Sequence, residues 1–148
     1  MTETPPFKVL IVDDSPLLLD LLTEMLLEMG NILVFTASDG IQALEQFENV
    51  RPDCMVIDVK MPGLNGFQVV SALRGDPASA GMPLIILTAL TQDKERFVGM
   101  ASGADQYLVK PVTPQVLFAA IRKALDSTAE ERKQRLDRLM EEHLSNEH

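Results

Sequence analysis

Residues 51–66 read RPDCMVIDVKMPGLNG. Within them Cys54-Met55-Val56-Ile57 is a short apolar run with β-branched members, and it stops on a single carboxylate, Asp58. Lys60, Pro62, Gly63, Asn65 and Gly66 follow at once. A short apolar run between turn residues is the pattern of a buried strand. Asp58 then stands where that strand leaves the core and meets water. Alone, an aspartate in such a place is a turn former or a helix cap, so its meaning depends on what else the chain delivers to the same edge.

Outward from this stretch the pattern repeats. Phe7 to Val12, FKVLIV, is a near-continuous apolar run that ends in Asp13-Asp14-Ser15-Pro16. Ser15 suits an N-cap and Pro16 the first helical position. The helix runs to about Met29, with Leu17, Leu18, Leu21, Leu22, Met25, Leu26 and Met29 as a wide apolar stripe, and Gly30-Asn31 closes it. Ile32 to Ala37 is a second strand. A helix capped by Ser38 or Asp39 follows over about Gly40 to Asn49, with Ile41, Leu44 and Phe47 inward. The opening stretch supplies the third strand, Asp53 to Asp58, and a helix from about Gly66 to Arg74. Pro83 to Leu87 is the fourth strand, ending at Thr88-Ala89. Its helix, Gln92 to Ser102, is poor in large apolar residues and contains Gly99, which marks it as a mobile element. Asp105 to Val109 is the fifth strand, ending at Lys110-Pro111, and a last helix starts near Thr113-Pro114 and carries an apolar face to Leu125.

Five strand–helix alternations predict an α/β fold, a parallel sheet covered by helices on both faces. A chain of 148 residues is too short for an eight-stranded barrel of the usual size, which leaves a doubly wound open sheet. The expected division is a loose leader over residues 1–6, one globular unit over 7–125 and a helical extension over 126–148.

The formal net charge of −9 speaks against an electrostatic grip on DNA, RNA or anionic membrane. Cys54 is the sole cysteine, so no intrachain disulfide forms, and its apolar setting reads as a small buried side chain. No apolar run approaches membrane-spanning length and the amino end lacks a signal-peptide pattern. The expected location is cytoplasmic.

In an open parallel sheet, ligands bind beyond the carboxyl ends of the strands. There the first strand delivers Asp13 and Asp14, the third Asp58, the fourth Thr88 and the fifth Lys110. Three carboxylates so placed repel one another unless a cation joins them. Oxygen ligands at a solvated edge suit Mg²⁺, which keeps several waters and accepts an incoming phosphate. A carboxylate nucleophile beside a divalent metal, a lysine and a threonine is equipment for taking a phosphoryl group as an acyl phosphate. Asp58, alone at its strand end, is the nucleophile candidate; Asp13 and Asp14 look like metal ligands.

At these residues the chain resembles the response-regulator receiver domains of two-component signalling, of the same type as the single-domain chemotaxis regulator. The resemblance covers about Phe7 to Leu125. It rests on VDDS at Val12 to Ser15, VIDVKMPGLNG at Val56 to Gly66, LTA at Leu87 to Ala89 and GADQYLVKP at Gly103 to Pro111. It implies a flavodoxin-like strand order, 2-1-3-4-5. It implies Asp58 as phosphoacceptor, with Mg²⁺ (Mn²⁺ as the alternative) held by Asp14 directly, Asp13 mainly through water, Asp58 and the backbone carbonyl of Lys60. Lys110 then pairs with Asp58 or its phosphoryl group, Thr88 moves to the phosphoryl group, and Tyr107 turns inward as the second switch residue. A cis Lys110-Pro111 bond aims the lysine, Ala89 leaves room for the phosphoryl group, and Lys60 and Leu90 tune the lifetime of the adduct. The implied activity is that of a signalling phosphoacceptor, acting only on its own Asp58, not an enzyme with turnover. The face built from the fourth helix, fifth strand and fifth helix carries the signal.

The expected partners are a sensor histidine kinase or phosphotransfer protein and a downstream protein target, with no direct nucleic acid and no membrane. A homodimer through the signalling face or the C-terminal helix is left open. The tail DSTAEERKQRLDRLMEEHLSNEH is rich in helix formers and has a sparse apolar stripe interrupted by Arg132. It reads either as a solvated extension of the last helix, fraying near Ser145, or as a coiled-coil or linker segment. Two rival chemistries fit less well. A phosphatase of the haloacid dehalogenase type wants a carboxylate where Lys60 stands, and a flavodoxin wants a phosphate loop where Asp13-Asp14 stand.

Overall fold

The protein is described by a computed structural model for residues 6–146. Most of the expected leader, residues 1–5, lies outside the described residues, as do residues 147–148. The strands are β1 (Phe7–Val12), β2 (Ile32–Ala37), β3 (Cys54–Ile57), β4 (Leu84–Thr88) and β5 (Gln106–Val109). The helices are α1 (Pro16–Leu27), α2 (Gly40–Val50), α3 (Gly66–Gly75), α4 (Asp93–Ser102), α5 (Pro114–Leu125) and α6 (Ala129–Asn146). The five strands form one sheet in the order β2-β1-β3-β4-β5, and every pairing is parallel. The order reverses between β1 and β3, so the crevice expected of an open α/β sheet opens between the ends of those two strands.

The strands are apolar throughout because both faces are covered. Side chains alternate across the sheet, and the core divides accordingly. Leu10, Val12, Met55, Ile57, Leu84 and Ile86 pack with Ala43, Phe47, Val69, Val70 and Leu73 of α2 and α3. Val9, Ile11, Cys54, Val56, Ile85 and Leu87 pack with Leu22, Leu26, Leu117, Ile121 and Ala124 of α1 and α5. Cys54 is fully buried, and burial pushes its thiol far above the usual range.

Capping follows the sequence closely. The side chain of Ser15 accepts from Leu18 N–H at the start of α1, Asp39 from Gln42 N–H at α2, Asn65 from Gln68 N–H in a reciprocal box at α3, and Thr113 from Val116 N–H at α5. Two apolar stripes are narrower than their periodicity implies. Leu17 and Leu21 of α1 are exposed, leaving Leu22 and Leu26 as its buried leucines, and Ile41 of α2 faces solvent while Ala43 and Phe47 point inward. One helix on a five-stranded sheet buries a single strip, so residues on the shoulders of a wide stripe stay wet.

The expected C-terminal helix is present, as an element of its own rather than a continuation of α5. α5 ends at Leu125, and α6 is a separate helix that returns along α4, helical through Asn146 with no fraying at Ser145. His143 stacks on Phe97 of α4 with ring centroids 4.2 Å apart. At the other end of α6, Arg132 reaches the carboxylate of Asp105 (2.5 Å), and Arg135 lies 3.4 Å from it. The arginine that interrupts the apolar stripe is therefore an anchor. Asp105 is 1% exposed. It also accepts from Arg74 of α3 (3.0 Å) and from Leu84 N–H (2.9 Å), so one carboxylate ties α3, β4 and α6 together.

Removing one partner of a buried ion pair leaves uncompensated charge and costs about 3–5 kcal/mol. Asp105→Asn is expected to lower unfolding stability by about 3 kcal/mol, read as a fall in the urea midpoint. A loss under about 1 kcal/mol, the value of a surface pair, would show that the cluster does not hold α6.

Candidate functional site

The five reactive residues meet at the carboxyl edge of the sheet. Asp13 follows β1 and Asp58 follows β3, one on each side of the point where strand order reverses. Their backbones are pinned in register: Asp13 N–H donates to Ala37 carbonyl (3.1 Å) and Asp58 N–H to Val12 carbonyl (2.8 Å). Asp13 and Asp58 are buried and Asp14 is exposed. One carboxylate oxygen from each of the three lies within 4.8 Å of the others.

Lys110 enters from the end of β5, beside the Lys110–Pro111 peptide, which is cis. Its Nζ is 2.7 Å from Asp13 Oδ2 and 3.4 Å from Asp58 Oδ2. The closer contact is to Asp13, where the resemblance implies Asp58. Asp13 Oδ1 accepts from Ser15 N–H (2.9 Å), so the same side chain also shapes the turn into α1. Asp58 Oδ1 accepts from Val59 N–H (2.8 Å). Burial raises the proton affinity of Asp58; Lys110 opposes this, Asp13 adds to it, and Val59 N–H and Thr88 oppose it.

The Asp58 loop is held against α3 by a glycine. A Cβ on Gly66 would collide with the carbonyl oxygen of Asp58, and Gly66 N–H donates to Val59 carbonyl at 2.9 Å. Only a residue without a side chain lets the helix begin so close to the backbone of Asp58. Lys60 is exposed in this loop. The sequence signal for Gly66 was the turn cluster after Asp58; its packing role was not readable there.

Thr88 is buried, and its Oγ1 accepts from Leu90 N–H at 3.3 Å. The carbonyl of the same Leu90 accepts from the Tyr107 hydroxyl at 2.9 Å. Tyr107 is 5% exposed, with its ring turned inward. Gly99 makes this possible: a Cβ there would stand 2.8 Å from Tyr107 Cδ2 and 3.0 Å from Ile86 Cδ1. The glycine read from sequence as a mark of mobility is a clearance for the tyrosine ring. Arg96 of α4 lies over that ring, 5.8 Å from its centroid.

Three ionised carboxylates against one ammonium leave two negative charges uncompensated. That balance suits one divalent cation. An Mg–O distance of about 2.1 Å sets opposite ligands about 4.2 Å apart, so oxygens within 4.8 Å fit a shared ion with little movement.

Comparison with known proteins agrees with this geometry. Residues 9–122 match the family described as response regulator receiver domain. The DNA-binding response regulator MtrA of Mycolicibacterium smegmatis is 38% identical over 124 residues, 84% of this chain and 53% of that protein. The DNA-binding dual master transcriptional regulator RpaA of Synechocystis is 37% identical over 82% of this chain and 50% of its own length. The chain thus spans about half the length of these relatives. Chemotaxis protein CheY4 of Vibrio cholerae superposes with a TM-score of 0.75 at 34% identity, covering 80% of this chain and 98% of that one. A CheY-like receiver domain protein of Methanospirillum hungatei gives 0.74 at 28% identity, covering 87% and 98%.

These relatives correct one expectation. The sequence reading excluded nucleic acid as a direct partner, and relatives at 37–38% identity are DNA-binding regulators. A net charge of −9 is summed over the 148 residues of this chain and carries no information about the nucleic-acid contacts of relatives about twice as long. Among the described residues no helix is long and apolar enough to cross a membrane.

Two measurements test the site. The folded protein binds a proton at Asp58 more tightly than the unfolded chain does. The stability this group contributes is therefore present at low pH, below the unfolded carboxylate's range, and is lost as pH rises through the folded value. Without divalent metal at neutral pH, Asp58→Asn is expected to raise Tm, and an unchanged or lowered Tm would contradict the buried-charge account. The chain has one tyrosine and no tryptophan, so intrinsic fluorescence reports Tyr107 alone. In the wild type the buried ring is expected to resist quenching by iodide; Gly99→Ala is expected to expel the ring and expose it to the quencher several-fold more.

Proposed function

Because the chain belongs to the response-regulator receiver family, we propose that Asp58 accepts a phosphoryl group from a phosphohistidine of a sensor kinase or phosphotransfer protein. An oxygen of Asp58 forms the new O–P bond, the donor's N–P bond breaks, and the imidazole leaves. The observation that carries this reading is the meeting of Asp13, Asp14 and Asp58 within 4.8 Å, with Lys110 Nζ at 2.7 Å and 3.4 Å from two of them.

Each residue has a task. Val59 N–H and Lys110 fix the two oxygens of Asp58, so little orientational freedom is lost on reaction. Mg²⁺, or Mn²⁺ in its place, would be held by Asp13, Asp14, Asp58 and the Lys60 carbonyl. When bound it neutralises charge between the acceptor and the incoming phosphoryl oxygens. Lys110 supplies a second, permanent positive charge beside the same oxygens. Thr88 releases its contact with Leu90 N–H to hydrogen-bond the phosphoryl group. Leu90 is bonded through its N–H to Thr88 and through its carbonyl to Tyr107, which supports its role, with exposed Lys60, in setting adduct lifetime.

The inward Tyr107 belongs to the conformation that phosphorylation favours. A population already accessible is shifted by the new bond, not created by it. The change appears on the face of α4, β5 and α5, part of which α6 covers at α4. The unit that switches is residues 7–125, and the segment that follows, with α6 over Ala129–Asn146, is appended to it. The DNA-binding relatives point to nucleic acid as the eventual target of the signal. The reaction is placed in the cytoplasm, where response regulators generally act.

The test is labelling with acetyl phosphate and Mg²⁺. The expected result is a stoichiometric, slowly decaying adduct that is lost with a metal chelator and reduced at least a hundredfold in Asp58→Asn. Continuous turnover of phosphomonoesters, or labelling that survives Asp58→Asn, overturns the assignment.

A further inference from the structure

α4 is weakly anchored by its own side chains. Gly99 is its one buried residue, and its larger apolar residues, Phe97, Val98 and Met100, are half-buried or exposed. A short helix with so little apolar burial is marginal by itself. Its place therefore depends on what lies on either side of it.

On the sheet side lies Tyr107, whose ring fits beneath Gly99 and Arg96 and whose hydroxyl donates to Leu90 carbonyl. On the outer side lies α6. Among the described residues of α6, Arg132, Arg135, Leu139 and His143 alone are partly buried, and their spacing of three, four and four puts them on one face. Leu139 lines one space with Met100 and Ala101 of α4. His143 stacks on Phe97. Arg132 and Arg135 hold Asp105, just beyond Gly103 where α4 ends. α6 thus follows α4 from Phe97 to its C-terminal end, and the two sets of contacts interleave: Arg96 and Gly99 face the tyrosine, while Phe97 and Ala101 meet the tail.

An inward ring needs a wall above it, and α4 is that wall. Were α4 to lift, the ring would lose its cover and open to water. Every contact from α6 opposes that lifting. We propose that α6 is a strap that holds α4 over Tyr107, so that seating of the tail and phosphorylation of Asp58 favour one conformation and each promotes the other. The link to phosphorylation rests on the reading that the inward Tyr107 belongs to the phosphorylated conformation. Coupling of this kind is reciprocal. Whatever draws α6 off α4 releases Tyr107 and slows phosphorylation, and phosphorylation tightens the tail.

Tyr107 fluorescence reads the strap without any phosphodonor. Leu139→Glu in the full chain puts a charge between α6 and α4, and iodide is expected to quench Tyr107 several-fold more than in the wild type. Leu144→Glu adds the same charge at a position 55% exposed and is expected to leave quenching unchanged. His143→Ala removes the stack on Phe97 without adding charge; it is expected to give a smaller shift in the same direction, and it serves if Leu139→Glu does not fold. In Gly99→Ala, where the ring is already expelled, Leu139→Glu is expected to add nothing, which separates coupling through α4 from general loosening. With acetyl phosphate and Mg²⁺, the amides of Ala129–Asn146 in the wild type are expected to exchange several-fold more slowly, and Leu139→Glu is expected to label about fivefold more slowly than the wild type. Equal quenching in Leu139→Glu and the wild type, an equal effect of Leu144→Glu, or α6 amides that do not slow on phosphorylation overturns the strap. A wild type that takes no label overturns instead the reading of Asp58, and the quenching comparison, made without phosphodonor, still decides whether α6 holds the ring.

Discussion

The site rests on one ammonium shared between two buried carboxylates. Lys110 stands 2.7 Å from Asp13 and 3.4 Å from Asp58, and without it three acidic groups within 4.8 Å would repel one another uncompensated. The rest of the architecture serves to hold that arrangement. Strand-order reversal puts the ends of β1 and β3 side by side, ladder bonds fix Asp13 and Asp58 in register, and Gly66 lets α3 begin against the backbone of Asp58. The pair of charges that remains uncompensated is the physical reason the site calls for a divalent cation.

The meeting of these side chains was legible in sequence because each stands at the exit of its strand. Short continuous apolar runs bounded by turn residues locate strands, and the residue after each run is then placed at the sheet edge without any knowledge of packing. Asp58 alone reads as a turn residue; with Asp13, Thr88 and Lys110 at equivalent exits the turn reading loses its force. What escaped was set by contacts between distant elements. Leu17, Leu21 and Ile41 belong to apolar stripes yet lie beyond the strip the sheet can cover. Gly99 looked like a weak point in a helix, and its purpose depends on a tyrosine from β5. Arg74, Arg132 and Arg135 converge on Asp105 from α3 and α6, and no local spacing announces such a meeting.

That convergence changes how the tail is understood. A segment with so few apolar residues would be a marginal helix by itself, and ion pairing to a buried aspartate, with stacking of His143 on Phe97, gives it a defined seat on α4. α4 therefore has Tyr107 beneath Gly99 on one side and α6 on the other. The buried tyrosine and the docked tail thus pack on the same helix. The overturned expectation about nucleic acid has a related cause: charge and motif describe the surface at hand, and the relatives are about twice as long as the stretch they share with this chain.

The most direct test of the central claim is the identity of the phosphorylated residue. After reaction with acetyl phosphate and Mg²⁺, borohydride reduction converts an aspartyl phosphate to homoserine, which peptide mass spectrometry locates. The account predicts homoserine at position 58, with Asp13 and Asp14 intact. Homoserine at position 13 or 14, or a phosphoryl group retained on Thr88, would contradict it.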